Sequence, residues 1–262
     1  MKEQIFQVDA FTNKPFAGNP AGVVLLVSEK SDDWMRSFAR EMNLSETAFL
    51  LKDGDGYHLR WFTPKVEVSL CGHATLASAH VLFNETMVPG NETILFSSAS
   101  GVLNARFERG WIELDFPAFE VKPVSSTSQI DQAIGFSPKK IFESDVNLLV
   151  EMDSFDAVRD YQPDFFAISQ LPYQGLIITS RMPSGFDFAS RYFAPRAGIN
   201  EDPVTGSSHC SLAPYWAEKL GKSEFSAYQA SERSGELKVK LETGRVLIQG
   251  QAVTIFKGEL EI

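Results

Sequence analysis

The stretch Arg60-Trp61-Phe62-Thr63-Pro64 is repeated later in the chain, in altered form, as Arg191-Tyr192-Phe193-Ala194-Pro195. Residue 191 follows residue 60 by 131 positions, which is half of the 262-residue chain. A repeat at half the chain length indicates two related halves, because the repeats of a solenoid are shorter and more numerous. The sequence therefore predicts one protein with two similar halves.

A second pair of matching segments follows these two stretches. Cys71-Gly72-His73-Ala74-Thr75-Leu76 is matched by Thr205-Gly206-Ser207-Ser208-His209-Cys210. The segments that open at Gly72 and Gly206 are apolar nearly all the way round a helix, which is typical of a helix enclosed by a sheet. We therefore predict one such helix in each half, the first opening at Gly72 and the second at Gly206.

Strand-like runs dominate the rest of the chain. Short turn signals such as Asp53-Gly54-Asp55-Gly56 join many of them, which favours antiparallel hairpins over crossover units. We therefore predict an α+β fold with sheet in excess. The predicted strands are residues 5–10, 21–27, 47–51, 57–62, 93–96, 102–107, 111–116, 147–151, 175–180, 186–193, 237–241, 245–249 and 252–256.

One further helix is predicted near the start of the chain. Ser31 is a typical N-cap residue and is followed by two acids. Trp34, Phe38 and Met42 then recur at fourfold spacing, which predicts a helix with one face in the core.

A linker is predicted between the halves, because residues 116–128 mix Pro, Ser and Thr without periodicity. The expected domains are therefore an N-terminal half, residues 1–117, and a C-terminal half, residues 118–262. Terminal strands can cross between these halves.

Composition limits the partners and the compartment. The chain has 24 Lys and Arg against 34 Asp and Glu, a net charge of −10, which disfavours binding to nucleic acid and to anionic membrane surfaces. No stretch approaches the roughly 20 apolar residues that span a bilayer, and the first residues lack the apolar core of a signal peptide. We therefore expect a cytoplasmic protein.

The familiar cofactor and metal motifs are missing from the sequence. There is no dinucleotide-binding, P-loop, zincin or serine-hydrolase motif. The four histidines and two cysteines show no ligand spacing. We expect no cofactor and no metal.

The two glycine-led helix starts, at Gly72 and Gly206, are candidate anion sites. Backbone N–H groups and the positive end of the helix dipole attract an anion, and glycine lets a ligand approach the chain closely. If the halves pack about a pseudo-twofold axis, the two starts face each other across one cleft that suits a small carboxylate. A glycine that merely caps or turns is the simpler interpretation of one copy, and the repetition favours binding.

Six motifs follow one another along nearly the whole chain. They are Gln7-Val8-Asp9-Ala10-Phe11-Thr12, Gly18-Asn19-Pro20-Ala21, Asn43-Leu44-Ser45-Glu46-Thr47, Cys71-Gly72-His73-Ala74-Thr75-Leu76-Ala77, Asp115-Phe116-Pro117 and Glu201-Asp202-Pro203-Val204-Thr205-Gly206-Ser207. Together they resemble the PhzF-like (phenazine biosynthesis) isomerase family. The resemblance implies the diaminopimelate-epimerase-like fold, in which each half is a curved, mostly antiparallel sheet around a central helix. It also implies an active site between the halves and a homodimer.

The resemblance assigns the catalytic acid/base to Glu46 and implies that His73 and Asp202 act beside it. The substrate-binding residues that it implies are Asn19, Gly72, Gly206 and Ser207. Each residue also has a structural interpretation. A glutamate after a helix end is commonly solvated, and an Asp before Pro commonly starts a turn. The histidine and serine at the helix starts can serve as caps, and Asn19 suits a turn.

Cys71 separates three hypotheses about function. Related epimerases of this fold use two facing thiols, but the residue that matches Cys71 in the second half is Thr205, which disfavours a two-cysteine racemase. The leading hypothesis is a cofactor-independent isomerase that moves a proton on a small carboxylate metabolite, by a double-bond shift or an epimerisation, with Glu46 as general acid/base. The alternatives are a non-catalytic small-molecule binding protein and a Cys71-assisted racemase or epimerase.

Overall fold

The computed structural model describes residues 2–261, which fold into strands, six α-helices and one 3-10 turn, Pro195–Ala197. The helices are α1 (Asp32–Met42), α2 (Gly72–Asn84), α3 (Ser128–Ile134), α4 (Phe155–Arg159), α5 (Phe165–Ser169) and α6 (His209–Leu220). The strands are β1 (Gln4–Ala10), β2 (Asn19–Leu26), β3 (Thr47–Asp53), β4 (Gly56–Phe62), β5 (Glu67–Val68), β6 (Ile94–Ser98), β7 (Gly101–Glu108), β8 (Trp111–Pro117), β9 (Lys122–Pro123), β10 (Ile141–Ser144), β11 (Asn147–Glu151), β12 (Gly175–Arg181), β13 (Phe188–Ala194), β14 (Ile199–Asp202), β15 (Glu224–Gln229), β16 (Gly235–Glu242), β17 (Arg245–Gly250) and β18 (Ala252–Glu259).

The chain divides into two compact units. The first comprises the chain up to Phe116 together with the segment from Ile248 onward, and the second spans Pro117–Leu247. The division into domains 1–117 and 118–262 stays a prediction about folding units. None of the helices described is long and apolar enough to cross a membrane.

The sheet of the first unit surrounds helix α2. Strand β1 lies antiparallel to both β2 and β18. Strand β2 is parallel to β3, β3 forms a hairpin with β4, β4 is parallel to β6, and β6, β7 and β8 continue as antiparallel neighbours. Helix α2 packs against β1, β2, β3, β7 and β18, and ten of its thirteen residues are buried. The prediction of an enclosed helix that opens at Gly72 is confirmed.

The second unit repeats the same order of strand pairings. Strand β10 is antiparallel to β11, β11 is parallel to β12, β12 is antiparallel to β13, β13 is parallel to β15, and β15 is antiparallel to β16. Helix α6 packs on this sheet through Trp216, whose indole N–H donates to Thr179 Oγ1 at 3.0 Å and whose ring stacks on Phe188. The α+β fold with two similar halves is confirmed.

Helix α6 begins three residues later than predicted, at His209 rather than at Gly206. The backbone N–H groups of His209, Cys210 and Ser211 donate to the carbonyl oxygens of the residues three positions earlier, at 3.0–3.1 Å. Bonds of this spacing are typical of a 3-10 turn, which commonly precedes an α-helix. Gly206 therefore lies in a tight turn that leads into α6.

Helix α1 has the predicted N-cap and a core face that differs by one position. Ser31 Oγ accepts a hydrogen bond from the backbone N–H of Trp34 at 3.2 Å. Phe38 is buried as expected, whereas Trp34 is only partly buried and Met35 is fully inside. A fourfold spacing drifts round a helix of 3.6 residues per turn, so it marks the core face only approximately.

All the predicted strands are present, with ends that differ by at most three residues. Five strands were missed, and two of these, β5 and β9, have only two residues. The region predicted as a linker thus contains the short strand β9. The other three missed strands are β10, β14 and β15, which carry charged or polar residues among few apolar ones.

The repeated arginines each hold a glutamate with two hydrogen bonds. Arg60 on β4 binds Glu67 at 2.7 and 2.8 Å, and Arg191 on β13 binds Glu201 at 2.7 and 2.8 Å. The side chain of Arg191 is 10% exposed, against 24% for Arg60. Arg191 also donates to three backbone carbonyls, the nearest at 2.8 Å on Tyr161.

This pair of arginines gives a matched test of stability. We expect Arg191→Met to lower the free energy of unfolding by about 3–5 kcal/mol, because it leaves a carboxylate and buried carbonyls without their donor. Arg60→Met should lower it by about 1 kcal/mol or less, because that ion pair is more exposed. Urea unfolding followed by circular dichroism measures both values. Equal losses in the two variants would contradict this account of Arg191.

Candidate functional site

Glu46 is placed by the short connection between α1 and β3. Asn43 ends α1 in the left-handed conformation, with φ of 51°, and its N–H donates to Ala39 O at 3.1 Å. Glu46 is the last residue before β3, and its carbonyl accepts a hydrogen bond from the N–H of Gly22 on β2 at 3.3 Å. The residue is buried, with 8% exposure. Its carboxylate is therefore not a solvated acid after a helix end.

His73 lies in the first turn of α2 and meets three polar side chains. Its Nε2 atom is 3.4 Å from Glu46 Oε2 and 3.3 Å from Ser45 Oγ. On the other side of the ring, Nδ1 is 3.5 Å from the sulfur of Cys71. The structure thus brings Glu46 and His73 together, with Ser45 and Cys71 around the imidazole.

Burial decides the charge of this imidazole. His73 is 3% exposed, and loss of solvation lowers its pKa from 6.5 to about 3. The ring is therefore neutral at neutral pH and carries one N–H. With the proton on Nε2, the ring N–H faces Ser45 Oγ at 3.3 Å, with Glu46 Oε2 beside it at 3.4 Å, and Nδ1 accepts from the thiol of Cys71. This tautomer gives both ring nitrogens a role that their neighbours can match.

The start of α2 offers backbone donors beside this pair. Cys71 holds the N-cap position in an extended conformation, and Gly72 is the first residue of the helix. The first N–H groups of an α-helix have no acceptor within the helix, and the dipole makes this end positive. Glu46 and His73 therefore lie next to a terminus that can receive a carboxylate or an oxyanion.

Glu46, Cys71 and His73 are also residue types that bind metals, and one ligand atom from each lies within 4.8 Å of the others. The arrangement suits a metal poorly. The sulfur approaches Nδ1 whereas the carboxylate approaches Nε2, and these two ring nitrogens point in different directions. The positive end of α2 also opposes a cation. The expectation that no metal is needed stays a prediction.

Asn19 lies at the edge of the sheet where Glu46 lies. It is the first residue of β2, opposite Ala10 of β1, and it is fully buried. Because β2 is parallel to β3 and Gly22 pairs with Thr47, residues before Gly22 extend past the start of β3. Gly18 directs the chain into this position with φ of +66°, and a Cβ there would lie 2.2 Å from Ala10 O.

The predicted site residues of the second unit lie around the turn before α6. Asp202 ends β14 and is 7% exposed, and its Oδ2 accepts a hydrogen bond from Thr205 Oγ1 at 2.6 Å. Gly206 is buried and Ser207 is half-buried. Asn19, Glu46, Gly72 and His73 therefore belong to the first unit, and the other three predicted residues to the second. A single cleft that contains both sets stays a prediction.

Three polar neighbours of the predicted residues were not identified from the sequence. They are Ser45 beside His73, and Thr205 with Gln229 beside Asp202. Ser45 and Thr205 lie within two of the family motifs, which is the one available signal, but the sequence predicted no role in the site for them. Gln229 lies on β15, 24 residues after Thr205, so only the folded sheet reveals it.

The chain is similar to known proteins along nearly its whole length. The profile of the phenazine biosynthesis-like protein family, PhzC-PhzF, matches residues 8–258. An uncharacterized isomerase of Halalkalibacterium halodurans is 48% identical over 262 residues, which cover 99% of this chain and 99% of that protein. An uncharacterized isomerase of Pseudomonas aeruginosa is also 48% identical over 262 residues and covers 100% of both chains.

Solved structures share the fold. The crystal structure of a phenazine biosynthesis protein of the PhzF family from Enterococcus faecalis has a TM-score of 0.95 and 40% identity, and it covers 100% of both chains. A probable proline racemase from Agrobacterium radiobacter has a TM-score of 0.72 over 99% of this chain and 93% of that chain. Its 11% identity shows similarity of fold alone.

The neutral His73 predicts a pH dependence of stability. Its pKa is about 6.5 in the unfolded chain and about 3 in the folded protein. The unfolded state therefore binds the extra proton, so this stability is present above pH 6.5 and is lost as the pH falls. Between about pH 4 and 6, the unfolding free energy should therefore rise with pH less steeply in His73→Gln than in the unmodified protein. We expect the difference in slope to be about 1.4 kcal/mol per pH unit.

The control for this measurement is His58→Gln, at an exposed position on β4. This variant also removes one histidine, but from an exposed position, so it separates the effect of losing a histidine from the effect of losing the buried one. Urea unfolding at several pH values gives the slopes. The same slope in His73→Gln and in the unmodified protein would show that His73 accepts a proton in the folded state.

Proposed function

Because the chain belongs to the phenazine biosynthesis-like (PhzC-PhzF) family and is an isomerase, we propose that it moves a proton between carbon atoms of a small carboxylate metabolite, with Glu46 as general acid and base. The observation that carries this proposal is the buried Glu46 carboxylate, 3.4 Å from a neutral His73 at the start of α2. The result of the proton transfer is a double-bond shift or an epimerisation.

The proposed chemistry begins with removal of a proton from carbon. The Glu46 carboxylate takes the proton from a carbon next to an unsaturated or carboxylated centre, and the C–H electron pair passes into that centre. A base within hydrogen-bond reach and donors that stabilise the new negative charge are the two requirements of this step. The backbone N–H groups at the start of α2 are the proposed donors, with Gly72 allowing the substrate close to the chain.

The protonated Glu46 then returns the proton to a second carbon of the same molecule, or to the same carbon on its other face. His73 is proposed to support both steps, because its neutral imidazole lies 3.4 Å from Glu46 Oε2 and keeps its N–H proton at neutral pH. It therefore stabilises the ionised carboxylate less strongly than a cation would, so the carboxylate can still accept a proton.

The second unit is proposed to hold the rest of the substrate. Gly206 and Ser207 precede α6 as Gly72 and His73 open α2, and their turn offers a second set of backbone donors. Asp202 is proposed to act beside Glu46 in the reaction, and Asn19 to bind the substrate. A homodimer, a cytoplasmic location and catalysis without a cofactor complete the proposal.

A Cys71-assisted racemase or epimerase is the second candidate, because the sulfur lies 3.5 Å from His73 Nδ1. A catalytic thiol needs to act as a thiolate, which a neighbouring imidazolium commonly stabilises. His73 is held neutral and so supplies no positive charge. The neutral state of His73 therefore favours Glu46 over Cys71 as the group that exchanges protons with substrate.

Replacement of Glu46 tests the proposal directly. A panel of unsaturated and hydroxylated small carboxylic acids is incubated with the protein in heavy water, and deuterium incorporation is followed by NMR. We expect Glu46→Gln to lower the exchange rate by about 10²–10⁴-fold, because the amide cannot accept the proton. Exchange at the rate of the unmodified protein would end the proposal.

The matched control is Glu3→Gln in the same unit. Glu3 is also buried, at 6% exposure, but its carboxylate forms an ion pair with Lys30 at 2.6 Å. This variant should lose stability and keep its exchange rate. Equal loss of exchange in both variants would attribute the effect to unfolding rather than to chemistry.

Replacement of Cys71 separates the two candidate mechanisms. We expect Cys71→Ser to keep exchange within about tenfold of the unmodified protein, because a hydroxyl can still donate to His73 Nδ1. A racemase that uses this thiol as a base would lose activity as severely as Glu46→Gln does. The same heavy-water assay measures both variants.

A further inference from the structure

Gln229 makes three buried hydrogen bonds to the loop that carries Asp202. Its Nε2 group donates to Asp202 O at 2.8 Å and to Thr205 Oγ1 at 3.1 Å. Its Oε1 accepts from the backbone N–H of Thr205 at 2.8 Å. Gln229 is fully buried, and Thr205 and Asp202 are 5% and 7% exposed. Both the NH₂ group and the carbonyl oxygen of this amide are therefore hydrogen-bonded to Asp202 and Thr205.

The orientation of this amide follows from its partners. If the oxygen and nitrogen were exchanged, the NH₂ group would face the Thr205 N–H, and the carbonyl oxygen would face the Asp202 carbonyl. Both contacts would be repulsive, so only one orientation satisfies the partners. The NH₂ group of Gln229 consequently points at the Thr205 hydroxyl.

This orientation fixes the direction of the next hydrogen bond. A hydroxyl has one proton, and Thr205 Oγ1 already accepts from Gln229. Its own proton is therefore donated to Asp202 Oδ2, at 2.6 Å. The result is a chain of donors that runs from Gln229 through Thr205 to the carboxylate. A hydrogen bond donated to a carboxylate favours its ionised form.

The backbone of Thr205 is also held by hydrogen bonds. Its carbonyl accepts from Ser208 Oγ at 2.8 Å and contacts His209 Nδ1 at 2.9 Å, and its N–H is bound to Gln229. Other titratable groups lie on the neighbouring elements. They include the Arg191–Glu201 ion pair, Tyr192 opposite Asp202 across β13 and β14, Tyr228 beside Gln229 on β15, Glu236 opposite Tyr228 on β16, Glu232 and Arg233 directly after β15, and His209 at the start of α6.

We propose that Gln229 and Thr205 form a positioning relay that keeps the Asp202 carboxylate ionised and in one orientation. The relay is a feature of the second unit alone. Its importance for the reaction rests on the proposed function, in which Asp202 acts beside Glu46. Neither Gln229 nor Thr205 touches the reacting atoms in this proposal, so both are positioning residues.

The unmodified protein provides the first test. Both Nε2 protons of Gln229 are bound inside the protein, so we expect them to exchange with solvent at least about 100-fold more slowly than those of Gln129. Gln129 also donates its Nε2 group, to Gln170 O, but at an exposed position. Nitrogen-15 NMR of the glutamine side chains measures both rates. Equal rates would overturn the relay without the need for any variant.

Thr205→Val supplies the second test, because it removes the hydroxyl and keeps the shape of the side chain. The carboxyl carbon signal of Asp202, assigned with Asp202→Asn, is followed against pH. We expect its titration midpoint to move to higher pH by about one unit. Thr205→Ser should restore the original midpoint, because it restores the hydroxyl. An unchanged midpoint in Thr205→Val would overturn the proposal.

Thr179→Val is the matched control in the same unit. Its hydroxyl is buried and likewise accepts one hydrogen bond, from Trp216 Nε1, and donates one, to Ala189 O at 2.6 Å. Thr179 pairs with Ser190, which pairs with Gln229, so this variant removes comparable bonds in the same sheet without touching the Asp202 loop. It should therefore leave the titration of Asp202 unchanged. A midpoint that moves in this control as well would attribute the effect to general loosening and overturn the relay.

The exchange assay connects the relay to the reaction. With the carboxylic acid that exchanges fastest in the unmodified protein, Thr205→Val should lower kcat/KM about tenfold and move the acidic limb of its pH profile to higher pH. Thr205→Ser should rescue both. A moved titration midpoint with unchanged kcat/KM would confirm the relay and reject the role of Asp202 in the proposed function. The two ideas therefore fail separately.

Discussion

The burial of helix α2 within its own sheet is the constraint on which the rest of the site depends. Five strands contact this helix, so its polar side chains must find partners close by. Thr75 and Ser78 donate to carbonyls one turn earlier, Cys71 O and Ala74 O, at 2.5 and 2.7 Å. The packing of α2 against these strands therefore positions its first turn relative to the start of β3, which Glu46 directly precedes.

The duplicated halves share a framework and differ in chemistry at matching positions. Phe62 pairs with Thr47 as Phe193 pairs with Leu176, so Gly175 occupies the place of Glu46. A Cβ at Gly175 would lie 2.4 Å from the ring of Tyr192, so that position has no room for an acid. The second half carries its carboxylate on β14 instead, as Asp202. The residue before the glycine supports the polar group in both halves: Cys71 contacts His73, and Thr205 contacts Asp202.

The sequence predicted the fold better than the site. The signals for the fold come from residues close together in the sequence, whereas the site depends on residues far apart in it. Periodicity and turn residues are local, and they located the longer strands and α2. The predicted start of α6 was three residues too early, because the same types of residue begin a 3-10 turn and an α-helix. The role of Gln229 could not be predicted from the sequence. Only the parallel pairing of β13 with β15, which sets Ser190 beside Gln229, brings it into the Asp202 region. Glu46 itself was identified through family resemblance, since its burial depends on the return of the chain after α1.

On the proposed function, the charges of the predicted site residues explain how one carboxylate can both take and give a proton. None of the seven predicted site residues has a cationic side chain at neutral pH, because burial keeps His73 neutral. A lysine or arginine beside Glu46 would favour its ionised form and make the return of the proton costly. Backbone N–H groups at a helix start can hold an anionic substrate with partial charges instead. On the proposed function, the substrate is thus bound by dipoles, and the base stays free to change its protonation state.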